Sequence, residues 1–248
     1  MISEQQKYDK LWNEEWKNLH KIGPSVRSRN RILLKFFKKY IKQGKVLDSG
    51  CGDGTFLDIL NNNYSNKLDY EGTDISKSAI NLTKKFDFVN KTYITDLEKI
   101  NTFPKKKYDA VISSEVLEHI NDWKLALKNL TSVVESKGYV FITVPHGMKY
   151  WARNDEFAKH FRRFEKGQIE SVLKKLKFEI KESLCWGFPI YWLYYTLILN
   201  NTNPKDNMSK KNSWLKKMFS NIMFLLFHID DLFNNTLGRR LFIVARKR

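Results

Sequence analysis

Apolar positions along this chain repeat with two different spacings. Over residues 4–20, Tyr8, Leu11, Trp12, Trp16 and Leu19 recur every three or four residues. From about Arg27 to Ile41, Ile32, Leu33, Phe36, Phe37 and Tyr40 do the same. Both spacings line one face of a helix, and Gly-Pro-Ser at 23–25 separates the two predicted helices. Downstream the apolar residues gather into short runs. Lys45–Asp48, Leu68–Thr73, Asn90–Thr95, Tyr108–Ser113 and Tyr139–Val144 read as strands. Helical stretches separate them at Thr55–Leu60, Ser76–Lys85 and from an Asp122 cap to about Val134. Asn61–Asn66 reads as a turn, and Gly138 as the turn into the fifth strand. A helix over Glu165–Leu176, a strand over Phe178–Leu184 and a last strand over Gly238–Ala245 complete the pattern. Apolar strands alternating with amphipathic helices predict an α/β chain whose parallel sheet is covered on both faces.

A length of 248 residues suits one domain. It divides into N-terminal helices (1–43), a core (44–184), an apolar helical insertion (185–237) and a final strand (238–248). No stretch resembles a secretory signal, so a cytoplasmic location is expected. Cys51 and Cys185 show no paired metal spacing. The formal charge of +17 favours anionic partners: nucleic acid, anionic lipid or a phosphorylated substrate. Abundant lysine throughout is the alternative source of that excess, and charge alone does not choose.

The chemistry concentrates where strands end. VLDSGCGDGTF, residues 46–56, places Gly50, Gly52 and Gly54 directly after the first strand. Such a run lets the backbone turn tightly into a helix and lets a ligand lie against main-chain amides; a plain tight bend is the other reading. Asp74 ends the second strand in YEGTDIS, where an acid can accept from two ribose hydroxyls or cap the next helix. Asp96 ends the third strand in YITDLE, and SSEVLEHI, residues 113–120, follows the fourth.

These pieces, with YDAVISSEVLEHI and YVFITVP, resemble a class I S-adenosylmethionine-dependent methyltransferase of the small-molecule group, in order and over roughly residues 45–145. HFRRFEKGQIESVLKKLKFEI at 160–180 is similar to the later part of such enzymes. The ubiquinone-pathway and the sugar or polysaccharide O-methyltransferases are among the relatives. The resemblance implies a Rossmann-like, seven-stranded, mostly parallel sheet with helices on both faces, an N-terminal helical lid and a helical insertion between the last two strands. It implies S-adenosylmethionine as cofactor, with Asp48, Gly50, Gly52, Gly54, Asp74, Ile75, Asp96, Leu97 and Ser114 as the residues that bind it. Glu115 lines the route to the transferred methyl. Within RSRNR, residues 27–31, an arginine either reaches the cofactor carboxylate or joins a solvated basic face.

The acceptor is less legible. His119, His146 and His160 are the catalytic candidates, and each has a structural alternative as a loop or cap residue. Tyr150 and Arg162 are candidate acceptor contacts, the guanidinium suiting a phosphate or carboxylate. Histidines and acids are not clustered along the sequence at ligand spacings, so no metal site is expected. LCWGFPIYWLYYTLIL (184–199) and WLKKMFSNIMFLLFHIDDLF (214–233) either cover the acceptor pocket, rest on an anionic membrane surface, or form a dimer face. The leading expectation is methyl transfer to a small-molecule, sugar or lipid-linked hydroxyl. An N-methyltransferase acting on an amino sugar or RNA, and a non-catalytic binding protein, are the alternatives. Nucleic acid rests on charge alone, and SSEV stands where an amino-methylating N-P-P-Y loop would be.

Overall fold

The computed structural model describes residues 4–14, 23–64, 66–202, 214–233 and 236–248. Helices α1 (Glu4–Glu14) and α2 (Pro24–Tyr40) precede β1 (Gly44–Ser49), α3 (Thr55–Tyr64), β2 (Leu68–Asp74), α4 (Lys77–Thr83) and β3 (Val89–Ile94). The chain continues through β4 (Tyr108–Ser114), α5 (Trp123–Ser132), β5 (Val134–Pro145), α6 (Arg153–Ala158), α7 (Gln168–Lys175) and β6 (Phe178–Trp186). It then passes through α8 (Ile190–Tyr194), which runs on as a π-turn to Leu199, and α9 (Trp214–Leu226) before closing with β7 (Arg240–Lys247). Trp16, Leu19 and the middle of the insertion lie outside the described residues.

The seven strands stand in the order β3-β2-β1-β4-β5-β7-β6. Pairs from β3 to β5 are parallel, and β7 runs antiparallel to both β5 and β6. The order reverses between β1 and β4, which opens a crevice beyond their carboxyl ends. Alternate residues feed two cores. Val46, Ile112, Phe141 and Phe242 face α2 and α3, whereas Leu47, Val111, Ile142 and Ile243 face α5 and α7. Each such side chain contributes about 1.5–3 kcal/mol by leaving water, which is why the strands read as nearly continuous apolar runs.

Two boundaries differ from the sequence expectation. Asn61–Asn66 is not a turn from its start, because α3 runs to Tyr64. Leu60 and Tyr64 are one helical turn apart and both buried, and the Tyr64 hydroxyl donates to the Ile41 carbonyl at 3.0 Å. Nor does Gly138 turn the chain. It lies inside β5, where an added Cβ would stand 3.0 Å from the backbone oxygens of Asp109 and Glu135; close approach within the sheet, not a turn, is what calls for glycine there.

Candidate active site

The loop after β1 is tied to β2 before it enters α3. The amides of Gly50 and Cys51 both donate to the Thr73 carbonyl, at 2.7 and 2.9 Å, and the Gly52 amide donates to Asp74 Oδ2 at 3.0 Å. Gly52 has φ +56°, and a Cβ there would stand 2.4 Å from the Trp12 ring, which α1 lays across the loop. Asp9 anchors α1 by accepting from the Ser76 hydroxyl at 2.6 Å and the Ser78 amide at 3.0 Å.

Beyond these strand ends lies a cavity of about 710 Å³, within the ~300–1,000 Å³ usual for small-molecule sites. Asp48, Gly50, Gly52, Asp74, Ile75, Asp96, Leu97, Ser114 and Glu115 all line it. Burial, reinforced by neighbouring Asp74, raises the Asp48 carboxyl to about 7. Burial likewise raises Asp74 to about 6, against the pull of the Ser76 and Gly52 amides. Asp96 sits at the rim, with Oδ2 2.9 Å from Lys99 Nζ.

The opposite wall is built by β4, β7 and the segment around His160. Glu115 holds a left-handed φ of +58°, a strained conformation for a residue with a side chain. Its amide donates to the Thr143 carbonyl at 2.8 Å, and its carboxylate lies 3.2 Å from Arg240 and 4.0 Å from Arg29. Burial pushes that carboxyl up, but Arg240 and Arg29 together hold it below its ordinary value. His160 Nδ1 stands 2.8 Å from Asp155 Oδ1, which also accepts from Arg163 Nε at 2.9 Å. The His119 and His160 rings meet edge to face, with centroids 4.6 Å apart. Tyr191, Tyr194 and Tyr195 of the insertion close this side.

A family model described as "Methyltransferase domain" matches residues 20–183. The chain belongs to this methyltransferase family. A ubiquinone biosynthesis O-methyltransferase of Pelagibacter ubique is 29% identical over 153 residues, covering 55% of this chain and 62% of its own length, so the match spans less than two thirds of that relative. Among solved structures, the N-methyltransferase NodS of Bradyrhizobium japonicum, in complex with S-adenosylhomocysteine, superposes with a TM-score of 0.62 at 14% identity, over 98% of this chain and 97% of its own. The phosphoethanolamine N-methyltransferase 2 of Haemonchus contortus, with S-adenosylmethionine, gives 0.60 at 20% identity, over 99% and 59%. At those identities the structures show the shared fold alone. The chain is thus a methyltransferase domain with the class I S-adenosylmethionine-dependent methyltransferase fold.

The cavity suits that cofactor: a glycine floor, and acids at the ends of β2 and β3 with acceptor capacity to spare. Several of the methyltransferase's other expected site residues stand elsewhere. Gly54 has φ +79° but backs onto Phe86 and Thr83 rather than the cavity. His146 is buried away from the cavity lining, its Nδ1 donating to the Gly238 carbonyl at 2.5 Å and its Nε2 3.7 Å from Cys185. It clasps the end of β5 to the start of β7. Tyr150 donates its hydroxyl to the Leu237 carbonyl at 2.8 Å, and Arg162 donates to the carbonyls of Ile120 and Asn121 at 2.7 and 3.0 Å. Both hold loops together outside the cavity lining.

The three arginines of RSRNR go three ways. Arg29 is buried and lines the cavity, so a solvated basic face does not describe it. Arg27 donates to Asn221 at 2.7 Å and lies over the Phe224 ring, and Arg31 forms a two-bond pair with Asp231. Arg163, Arg239 and Arg240 also line the cavity without having stood out in the sequence. In space, Glu118, His119 and His160 bring one possible ligand atom each within 4.8 Å of the others, a grouping that their spacing along the chain does not announce.

Proposed function

We propose that this methyltransferase transfers methyl to a hydroxyl of a small acceptor that carries an anionic group, such as a phosphorylated sugar or a lipid-linked phosphate. S-adenosylmethionine supplies the methyl as an activated sulfonium substituent. Asp74 takes the ribose hydroxyls, because its carboxylate lines the cavity with its oxygens already aimed by the Gly52 and Ser76 amides, and a carboxylate offers about four acceptor positions. Asp96 and Leu97 take the adenine edge, Gly50 and Gly52 receive the ligand against main chain, and Asp48 and Arg29 meet the amino and carboxylate ends of the methionine portion.

The acceptor enters between Ser114, His160 and the tyrosines of α8 and its π-turn. Those aromatic walls exclude water and hold the hydroxyl in line with the methyl. The hydroxyl proton leaves toward the His119–His160 edge. The observation that carries the anionic acceptor is the arginine wall: Arg239 Nε and Arg240 Nε and Nη1 are buried, with no hydrogen-bond acceptor among the described residues. A phosphate or carboxylate supplies the acceptor atoms they lack. The hydroxyl assignment draws on the O-methyltransferase relative. Labelled methyl transfer to paired acceptors, with and without the anionic group, tests this. Arg240→Gln should raise KM for the anionic member about tenfold or more while leaving the neutral member unchanged. Equal rates for both members with the wild-type protein would contradict it.

No helix among the described residues is long and apolar enough to cross a membrane. Helix α9 nevertheless exposes Trp214, Met218, Ile222 and Leu225 beside Lys216 and Lys217, and the chain carries +17. That combination supports lateral contact with an anionic lipid surface near the cavity. Flotation with anionic vesicles, weakening as salt rises, is the expected result. Binding equal to neutral vesicles, or a dimer forming in place of flotation, would assign the face otherwise.

A further inference from the structure

We propose that the end of the sheet opposite the cavity is a docking surface for the phosphate backbone of nucleic acid. The topology builds this end. Because β7 runs antiparallel to its neighbours, its carboxyl end meets the amino ends of β5 and β6: Arg246 stands opposite Tyr139, and Lys247 opposite Phe178. Lys107 directly precedes β4, Lys137 lies early in β5, and Lys177 directly precedes β6. With Arg248, six cations gather on the adjacent strands β4, β5, β7 and β6. At the usual strand spacing those four strands span about 14 Å.

These side chains are held in place without being neutralised. Lys107 Nζ donates to the Ser132 carbonyl, Lys247 Nζ to the Val134 carbonyl at 2.7 Å, and Arg246 Nε to the Lys137 carbonyl at 3.2 Å. The Arg248 amide donates to the Lys177 carbonyl at 3.0 Å. Among the described residues none of the six has a carboxylate within 4.0 Å. The acids of this end are engaged elsewhere. Glu179 pairs with Lys181 at 2.7 Å, Asp109 accepts from the Lys45 amide at 2.8 Å, and Glu135 accepts from the Ser136 amide at 3.2 Å. Burial and the like charge of Lys107 hold the Lys247 ammonium below its ordinary range. Cations crowded in this way repel one another in the free protein, and a polyanion relieves that repulsion.

The surroundings of the six select the partner. An interfacial lipid contact inserts apolar side chains, and a protein interface has an apolar or aromatic centre. The described residues of this end expose no large hydrophobic side chain; those that are exposed lie on other parts of the surface, α9 above all. Tyr139, the aromatic ring nearest Arg246, is packed against Tyr40 and Phe141, so it offers no free face to a base. What remains is a row of anchored cations, which suits a chain of phosphates and carries no means of reading bases. The surface therefore holds RNA or DNA without sequence preference, and the cavity at the other end of the strands stays open. This reading does not depend on the identity of the methyl acceptor.

The test titrates the full chain into fluorescent random-sequence RNA and into a DNA duplex, reading anisotropy from about 50 to about 200 mM salt. The logarithm of the binding constant should fall linearly with the logarithm of salt, with a slope of about −4 to −5 for five or so phosphates neutralised. The triple variant Lys107→Gln, Arg246→Gln, Lys247→Gln should bind about tenfold or more weakly, with a slope shallower by about three. Lys107→Gln alone, at an exposed side chain, should flatten the slope by about one. The control triple Lys77→Gln, Lys149→Gln, Lys166→Gln removes the same charge from exposed lysines at the cavity end and should keep the affinity within about twofold of wild type. Circular dichroism reports that each variant folds. Equal losses in the two triples would overturn the surface, since net charge alone would then explain binding. So would an absence of binding by the wild type at about 50 mM salt. Loss of anionic-vesicle flotation in the first triple, with RNA and DNA affinity kept, would make this end a lipid surface instead.

Discussion

Arg162 and Arg163 are sequence neighbours with opposite tasks. Arg162 ties down the loop after β4 through two carbonyls, whereas Arg163 turns into the cavity wall and holds Asp155. Residue type and spacing put an arginine in this region but could not choose which one, because no regular element sets the period there. The histidines show the same limit: His146 and His160 read alike in sequence, yet a strand end buries the first and Asp155 aims the second. Asp74 was legible because it closes a strand whose neighbour ends in glycine. Asp74→Ala should weaken S-adenosylhomocysteine binding about tenfold or more, since it removes charge-assisted bonds to hydroxyls. Its pKa of about 6 adds a pH signature. The charged form accepts best, so affinity should fall as pH drops through about 6 in the wild type and stay flat in Asp74→Asn. Calorimetry at pH 5 and pH 8 checks both. Glu115→Gln should cost about 2–3 kcal/mol in denaturant melts, because it leaves Arg29 and Arg240 buried without their counter-charge. An unchanged midpoint would show that water already serves those arginines.

At the scale of elements, the strands and their order of use were readable because a two-sided sheet demands apolar runs, and each β-to-α turn carries its own punctuation. The insertion was readable as apolar, and a pocket cover was one of the three readings its pattern left open. Its placement depends on contacts between distant parts of the chain: Asp230 accepts from the Ile190 and Tyr191 amides at 2.7 and 2.9 Å, capping α8, and Asp231 accepts from Trp186 Nε1 at 3.0 Å. No local pattern in IDDLF announces these partners. Asp230→Ala should cost about 1–2 kcal/mol by uncapping α8. It should raise KM for the acceptor while leaving S-adenosylhomocysteine affinity intact, because the tyrosines of α8 line the wall proposed for the acceptor. Equal losses on both ligands would place α8 over the cofactor instead.

Across the whole molecule, the cavity's buried acids set a pH dependence of stability. Asp48 has a folded-state pKa of about 7, against about 3.9 for an unfolded aspartate. The folded protein therefore holds more protons between those values, and stability falls as pH rises from about 4 to about 7. Thermal melts without cofactor should show that fall relative to Asp48→Asn, which lacks the titration. In the proposed binding mode the cofactor's amino group meets Asp48, so bound S-adenosylmethionine should reduce it. The central claim is that the cofactor lies on the glycine loop beneath Trp12, between Asp74 and Asp96. Calorimetric titration of S-adenosylhomocysteine into the wild-type chain and Gly52→Val tests it most directly, with circular dichroism confirming that the variant folds. The account predicts saturable one-to-one binding by the wild type and its loss in a folded Gly52→Val protein. Undiminished binding by that folded variant would contradict it.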